Sequence, residues 1–562
     1  MTTHPHLWAI LLVWFAALWQ FLLAQAQRHL FLVLTLVLGV PPAFAQPKER
    51  WVYAPANYQV NEQADRIIAL LNRAKVAGYT HFLITDSKFS RVPTLPRHYF
   101  ANVSRVRAAA KEAGIELVPA LFGVGYSNDL LSNDPNLAEG LPVKDALFIV
   151  KDSFARFMPD PEVALKDTAL ANRKAWGFID DNLVSEHGTL CSRPTDKNAR
   201  LSQRLKVQPF RQYHVSVWIK SSGFKGGQAE IKAIAGKGVQ LSYTLLHEAP
   251  TQDWRQHHIT FNSLEHTEVQ LYFGVWGGHQ GTLWWREPRL EECGLVNVLR
   301  RPGASLVVKT ESGRELKEGA DFDAVSDPKL GTVPYAGEYE PWHDAPSLRV
   351  RGLADGTRLR VSFFHPHLLN EGQVCACVSE PAFTTLLKRQ AGDVHGLWSA
   401  AGYMMSHDEW RLMNWDDACQ SRHLSPGKIA ADNVRVCTDM LRATAPSARV
   451  FVWSDMFDPF HNATRNYYLV NGDLTGSWEG LDRDVIVVNW NSNKAADSLK
   501  FFSGRGHRQL IAGYYDGPLA RTRQWLDQAK GVPGLIGVMY TTWHANYTQL
   551  ESFAKMLVEA GF

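Results

Sequence analysis

Asp408 and Glu409 are adjacent carboxylates at the end of a short apolar run, Gly402 to Glu409 (GYMMSHDE). Other apolar runs end in a similar mixture: Asp86, Trp453-Ser454-Asp455, Asn489-Trp490, Tyr514-Tyr515-Asp516 and Thr541-Thr542-Trp543. A strand with a purely structural role has no need of Trp and a carboxylate at its end so repeatedly. Cleavage of a glycosidic bond needs both. A carboxylic acid protonates the leaving oxygen, and a second group stabilises or traps the oxocarbenium-like centre. Indole faces match the apolar face of a sugar ring. Neighbouring residues on a regular strand point to opposite faces, so Asp408 and Glu409 reach one pocket only where the strand turns into its loop. Asp408 is then the deeper of the two, Glu409 lies nearer the leaving group, and His407 serves as a hydrogen-bonding support. Two other readings fit the same residues. In a classical retaining scheme Glu409 is acid/base, Asp455, Asp516 or Glu380 is the nucleophile, and the pair lies about 5–5.5 Å apart. A glycan-binding protein without catalysis is the other. A metal hydrolase lacks a ligand set, since His365 and His367 are only a loose pair.

Positioning such a ring requires strands that converge. Trp51 to Asn57, His81 to Ser87 and Glu116 to Phe122 are short apolar runs separated by helical patterns over residues 62–77 and 103–113. This β-α-β-α-β rhythm predicts a parallel sheet with helices outside. It returns with Gly402 to Glu409, Arg449 to Met456, Asp484 to Asn491, Arg508 to Asp516 and Leu535 to Trp543. Three strands before the break and five after predict an α/β fold, a (β/α)8 TIM-type barrel whose catalytic groups sit at the C-terminal strand ends. The stretch between reads as all-β, with alternation in Tyr213 to Lys220, Trp254 to Phe261 and Val269 to Val275. It predicts an inserted jelly-roll-like sandwich. Trp276, Trp284 and Trp285 are its candidate sugar platforms. Arg358 to Pro366 is a ninth strand candidate, placed at the insertion's edge. The expected division is therefore 1–45 N-terminal hydrophobic segment, 46–150 first part of the barrel, 151–300 sandwich, 301–370 β-rich connection and 371–562 second part of the barrel.

A chain of 562 residues exceeds a single core, which stops growing near ~300 residues. A formal charge of +3 and the absence of a basic run give no sign of nucleic-acid binding. The 19 Trp point weakly to a carbohydrate partner, an oligo- or polysaccharide. Leu7 to Ala26 and Leu30 to Val40 are apolar runs flanking Arg28 and His29, followed by Ala43-Phe44-Ala45. The second run is too short to span a bilayer, and Ala-x-Ala is a cleavage pattern. We read residues 28–45 as a signal peptide of a secreted or periplasmic protein, the alternative being an anchor over residues 7–26. Of the six Cys, Cys191 and Cys293 stand at the two ends of the sandwich and are placed to pair. Cys375 and Cys377 have CxC spacing with no matching Cys/His cluster. No metal or cofactor is expected.

The barrel residues from about 398 to 545, and more loosely 50–125, resemble glycoside hydrolase family 20, the β-N-acetylhexosaminidases. Asp408-Glu409 matches the family's Asp-Glu pair after strand four, Trp453, Trp490 and Trp543 match the Trp ending strands five, six and eight, and Tyr514-Tyr515-Asp516 matches a Tyr-x-Asp after strand seven. The chain departs from the family in having Ser406-His407 before the pair and no Arg in Trp51 to Asn57. The resemblance implies a substrate-assisted mechanism in which the sugar's own acetamido oxygen is the nucleophile. In it Asp408 orients that group, Tyr514 bonds its oxygen, Glu409 is general acid and then base, the three Trp wall the sugar, and Asp516 binds a hydroxyl. Asp455 and Asp86 complete the expected binding set.

Overall fold

The computed structural model describes residues 48–170, 172–186 and 188–562. The two N-terminal apolar runs and the cleavage pattern lie outside the described residues. Among those described, no helix is long and apolar enough to cross a membrane.

Eight parallel strands close into a barrel: β1 (Glu49–Pro55), β2 (His81–Thr85), β3 (Glu116–Leu121), β4 (Gly402–Met405), β5 (Arg449–Trp453), β6 (Ile486–Asn489), β7 (Gln509–Tyr514) and β8 (Leu535–Thr541). These are the eight expected runs in the expected order, with β1 pairing both β2 and β8. The sequences are apolar on both faces because both faces are covered. Trp51, Leu83, Val118, Met404, Phe451, Ile486, Leu510 and Met539 fill the interior. Their neighbours Val52, Phe82, Tyr403, Met405, Val450, Val487, Ile511 and Val538 face outward into the layer that the helices cover.

That layer holds α1 (Asn61–Ala77), α2 (Arg97–Ala113), α3 (Pro381–Trp398), α4 (Pro426–Thr444), α5 (Ala495–Gly504), α6 (Leu519–Gln528) and α7 (Leu550–Glu559). Helix α1 shows how they attach. Ile67, Leu70, Leu71 and Ala74 recur at helical spacing and are buried, each large one worth about 1.5–3 kcal/mol. The helix stops at Gly78, whose φ of +80° closes the last turn on Ala74 and Lys75. Leu71→Ala would cost about 2–5 kcal/mol. The link from β5 to β6 breaks the alternation. It holds 3-10 turns at Asp455–Phe457 and Ser477–Gly480 and no α-helix. Its backbone presses directly on α4: a Cβ on Gly480 would fall 2.1 Å from the Ala431 carbonyl oxygen.

Between β3 and α3 the chain leaves the barrel and forms three antiparallel sheets. Two have five strands each. One is centred on Gln280–Cys293, with Gln212–Lys225 beside it, the other on Glu268–Trp276. Val215, Val217 and Ile219 of the first share an apolar cluster with Ile231, Leu271 and Phe273 of the second. The third sheet has six strands and its own core, including Val143, Phe148, Val308, Leu359 and Phe363. Arg358–His365 pairs there with Leu141–Lys151 and lies outside the barrel. Leu141–Lys151, read from sequence with the first barrel segment, belongs to this sheet as well. A short apolar run looks the same in either setting, and only its antiparallel partner distinguishes the two.

The Cys191–Cys293 pairing is not formed. Cys191 stands opposite Trp284 and Cys293 opposite Gln212, far apart along neighbouring strands. All six Cys are free and buried.

Candidate active site

A cavity of about 740 Å³ opens at the C-terminal mouth of the barrel, lined by Tyr53, Tyr126, Asp408, Glu409, Trp453, Trp490 and Trp543 among others. After β4, Ser406 and His407 lead the chain over the rim. His407 is buried, with Nε2 3.0 Å from Asn433 Oδ1 on α4, the supporting role its position suggested. Glu409 then adopts φ +46°, in the left-handed region that non-glycine residues seldom enter. This turn lets two consecutive carboxylates face one cavity. Gly125, from the loop after β3, fits against it: a Cβ there would lie 2.1 Å from the Asp408 carbonyl oxygen.

The two carboxylates have different surroundings. Asp408 lines the cavity where burial, and then the nearby Asp455 and Glu409, push its pKa up to about 8. It holds a proton at neutral pH. Glu409 is clasped. Its Oε2 accepts from the Tyr126 hydroxyl at 2.6 Å, and its Oε1 pairs with Arg411 Nη2 at 2.6 Å. Arg411 also donates to Tyr126 Oη (3.0 Å) and to Gln373 Oε1 (2.5 Å). Gln373 in turn donates to the carbonyls of Gly125 and Glu409. The Tyr126 hydroxyl is held above its ordinary range by burial and by the Glu409 carboxylate. Neither Tyr126 nor Arg411 stood out in the sequence, although Arg411 follows Glu409 by two residues.

The other expected residues divide into those at the cavity and those behind it. Trp453, Trp490 and Trp543 line it. Trp543 and Trp453 tilt against each other at 6.1 Å between ring centres, and Tyr53 packs edge-on to both. Trp543 is 44% exposed at the rim. Asp455 lies behind and is fully buried, which raises its pKa. Its Oδ2 accepts from the Glu409 amide (2.8 Å) and Asn462 (2.9 Å), its Oδ1 from Trp490 Nε1 (3.1 Å). It positions the acid and the wall together. Asp86 touches the cavity, but it accepts from the Tyr58 and Lys88 amides and the Tyr99 hydroxyl, so it serves the fold. Asp129, not singled out from sequence, also lines the cavity, and burial pushes its pKa up to about 7.

Two assignments change. Tyr514 does not face the cavity. It is 4% exposed, stacks on Tyr540 at 4.1 Å and meets Phe553 of α7. Its neighbour Tyr515 lies near the carboxylates, which raise its pKa further after burial, behind the residues that line the cavity. Tyr515 stacks on Trp490 at 6.1 Å, and its buried hydroxyl finds no partner among the described residues. The strand ends at Tyr514, and the run of positive φ at 514–516 turns the chain there, so that the two tyrosines point to different surroundings. Asp516 is not free for a sugar hydroxyl. It accepts from Thr542 Oγ1 (2.5 Å) and from the Trp543 amide (2.7 Å), so it holds the Trp543 loop. Among the nucleophiles of the classical scheme, Glu380 is buried against Arg301, and none of Asp455, Asp516 and Glu380 lines the cavity. Of the sheet tryptophans, Trp285 is core, while Trp284 and Trp276 are half-buried, the latter with Lys232 over its ring. His365 bonds Asn262 inside the insertion.

No family model matches the chain, and no curated protein matches it. Solved structures similar to it include the chitobiase of Flavobacterium johnsoniae, at 9% identity over 92% of this chain and 52% of that one, with a TM-score of 0.37. Another is a pneumococcal exo-β-D-N-acetylglucosaminidase with tandem family 20 catalytic modules, at 10% identity over 92% of this chain and 84% of that one, with a TM-score of 0.34. A carbohydrate-binding module of Cellvibrio mixtus lichenase 5A matches at 14% identity over 23% of this chain and 97% of that one, with a TM-score of 0.17. The chain spans about half the length of the chitobiase it matches.

Proposed function

We propose that this chain is a glycoside hydrolase that removes β-linked N-acetylhexosamine units by a substrate-assisted retaining mechanism. The observation that carries this reading is the adjacent pair Asp408 and Glu409 at the floor of a Trp- and Tyr-walled cavity, with the carboxylates a classical scheme would recruit turned to other partners. In this reading the nucleophile is the substrate's acetamido oxygen.

In this reading Asp408 carries a proton in the free site. An acetamido N–H placed against Asp408 favours its carboxylate, and the proton passes to Glu409. Glu409 then protonates the leaving oxygen as the acetamido oxygen attacks the anomeric carbon. Departure of the leaving group leaves Glu409 anionic, paired with Arg411 and ready to take a proton from the water that opens the bicyclic intermediate. The unpartnered Tyr515 hydroxyl donates to the acetamido oxygen, in the place the family resemblance implied for Tyr514. Trp453, Trp490 and Trp543 wall the sugar ring. The two five-stranded sheets are read as a glycan-binding sandwich of the carbohydrate-binding-module kind, and residues 28–45 as an export signal.

The test is hydrolysis of aryl β-N-acetylglucosaminide, β-N-acetylgalactosaminide, β-glucoside and β-galactoside by the full chain. Cleavage of an acetamido sugar is expected. Cleavage of the plain glycosides alone overturns the substrate class, and full activity in Glu409→Gln overturns the site.

A further inference from the structure

The cysteines that the sequence left without partners meet behind the β4 loop. Cys377, just before α3, and Cys419, in the short helix Asp417–Gln420, bring their sulfurs to 3.6 Å. Cys377 Sγ lies 3.4 Å from Asp416 Oδ1, and Cys419 Sγ lies 3.5 Å from Glu139 Oε2. All four side chains are buried, and their ligand atoms lie within 4.8 Å of one another. From sequence they were invisible as a set, because they come from residues 139, 377, 416 and 419.

We infer that Glu139, Cys377, Asp416 and Cys419 form a structural zinc site. Zinc binds thiolate at about 2.3 Å and carboxylate oxygen at about 2.0–2.2 Å in a tetrahedron. The edges of that tetrahedron are about 3.8 Å between sulfurs and about 3.5 Å between sulfur and oxygen. The three measured separations, 3.6, 3.4 and 3.5 Å, match those edges. The carboxylates are also oriented as ligands are. Each gives one oxygen to an outer partner and turns the other toward the sulfurs, where Asp416 Oδ1 also accepts from the Cys419 amide at 3.0 Å. Glu139 Oε1 accepts from the Trp415 amide at 2.7 Å, and Asp416 Oδ2 from Arg301 Nη2 at 2.5 Å. Outer bonds of this sort fix ligand geometry around metals. Arg301 is shared between Asp416 and Glu380, which holds the outer side of the cluster in place. Binding releases the two thiol protons to solvent, with no change of oxidation state.

The site has a mechanical consequence. Asp416 and Cys419 close the loop that carries Glu409 and Arg411. Glu139 and Cys377 belong to the segments after β3 and before α3. The ion ties the catalytic loop to the frame behind it.

The test is elemental analysis of the full chain purified without chelator, together with cobalt(II) uptake and a thiol count in denaturant. About one zinc per chain is expected, displaced by cobalt with a thiolate-to-metal charge-transfer band. Both signals should be lost in Cys377→Ser and Cys419→Ser and kept in Cys191→Ser. Should the serine variants fail to fold, the wild-type metal content, cobalt spectrum and thiol count decide alone. Six free thiols with no zinc and no cobalt band overturn the proposal. So do four thiols, which would mean a Cys377–Cys419 disulfide, or metal retained in both serine variants.

Discussion

The two ends of the barrel handle charge in opposite ways. At the end where the strands begin, Glu49, His81, Glu116 and Arg449 are the first residues of their strands. Arg449 bonds Glu49 Oε1 at 2.6 Å and Glu116 Oε1 at 3.0 Å, and Trp51 stacks on His81 at 4.5 Å. Burial raises the Glu116 pKa, but His81 and Arg449 more than offset it and hold it down at about 2. At the end where the strands finish, Asp408, Glu409 and Asp455 lie together, Arg411 pairs with Glu409, and Asp408 is pushed up to about 8. The two direct ion pairs of Arg449 serve stability. A surplus of carboxylate over cation leaves a proton held in the site, and strained pKa values of this kind mark where chemistry is done.

Substitutions at the two ends should therefore separate rate from stability. Glu409→Gln should lower kcat/KM on the acetamido substrate by roughly 10²–10⁴-fold with an unchanged circular dichroism spectrum. Glu116→Gln should leave the rate as it is. The tyrosine pair sharpens this further. Tyr515→Phe should lower kcat on the order of 10²-fold, as for loss of one donor to a developing charge, while Tyr514→Phe should change only stability. Equal effects on kcat from the two would return Tyr514 to the site. Asp516→Ala frees the Trp543 loop and should cost about tenfold in kcat/KM through misplacement, without moving the pH optimum.

Stability against pH should carry opposite signs at the two ends. Asp408 keeps its proton to about pH 8 when folded but loses it near 4 when unfolded. The folded state binds more protons across that window, so stability falls as pH rises through it. Asp408→Asn should raise the melting temperature at pH 8 and leave it nearly unchanged at pH 4. Glu116 is the reverse. Its contribution is fully present above its unfolded pKa near 4.5 and is lost as pH falls toward 2. Glu116→Gln should lower the melting temperature at pH 7 and flatten the loss between pH 4.5 and 2. Thermal scans of the two variants at these pH values check both.

All eight barrel strands were legible, because parallel strands covered on both faces leave apolar runs that end at a mouth rich in polar groups. Asp408, Glu409 and the three Trp were legible for the same reason. Tyr515 was not, since a one-residue difference in facing is decided by the backbone turn at 514–516. Asp516 and Asp455 looked like ligand groups, yet they hold Trp543 and Glu409. Composition cannot tell a carboxylate that meets a substrate from one that meets an amide. The helix missing between β5 and β6, and the meeting of residues 139, 377, 416 and 419, depend on contacts far apart in sequence.

The central claim is that the substrate's own acetamido group attacks the anomeric carbon. Fluorinating that group weakens its oxygen as a nucleophile and changes nothing else at the glycosidic bond. The direct measurement is kcat/KM for aryl β-glucosaminides bearing N-acetyl, N-difluoroacetyl and N-trifluoroacetyl groups. A steep fall along that series is the result expected here, and equal rates along it would contradict the account.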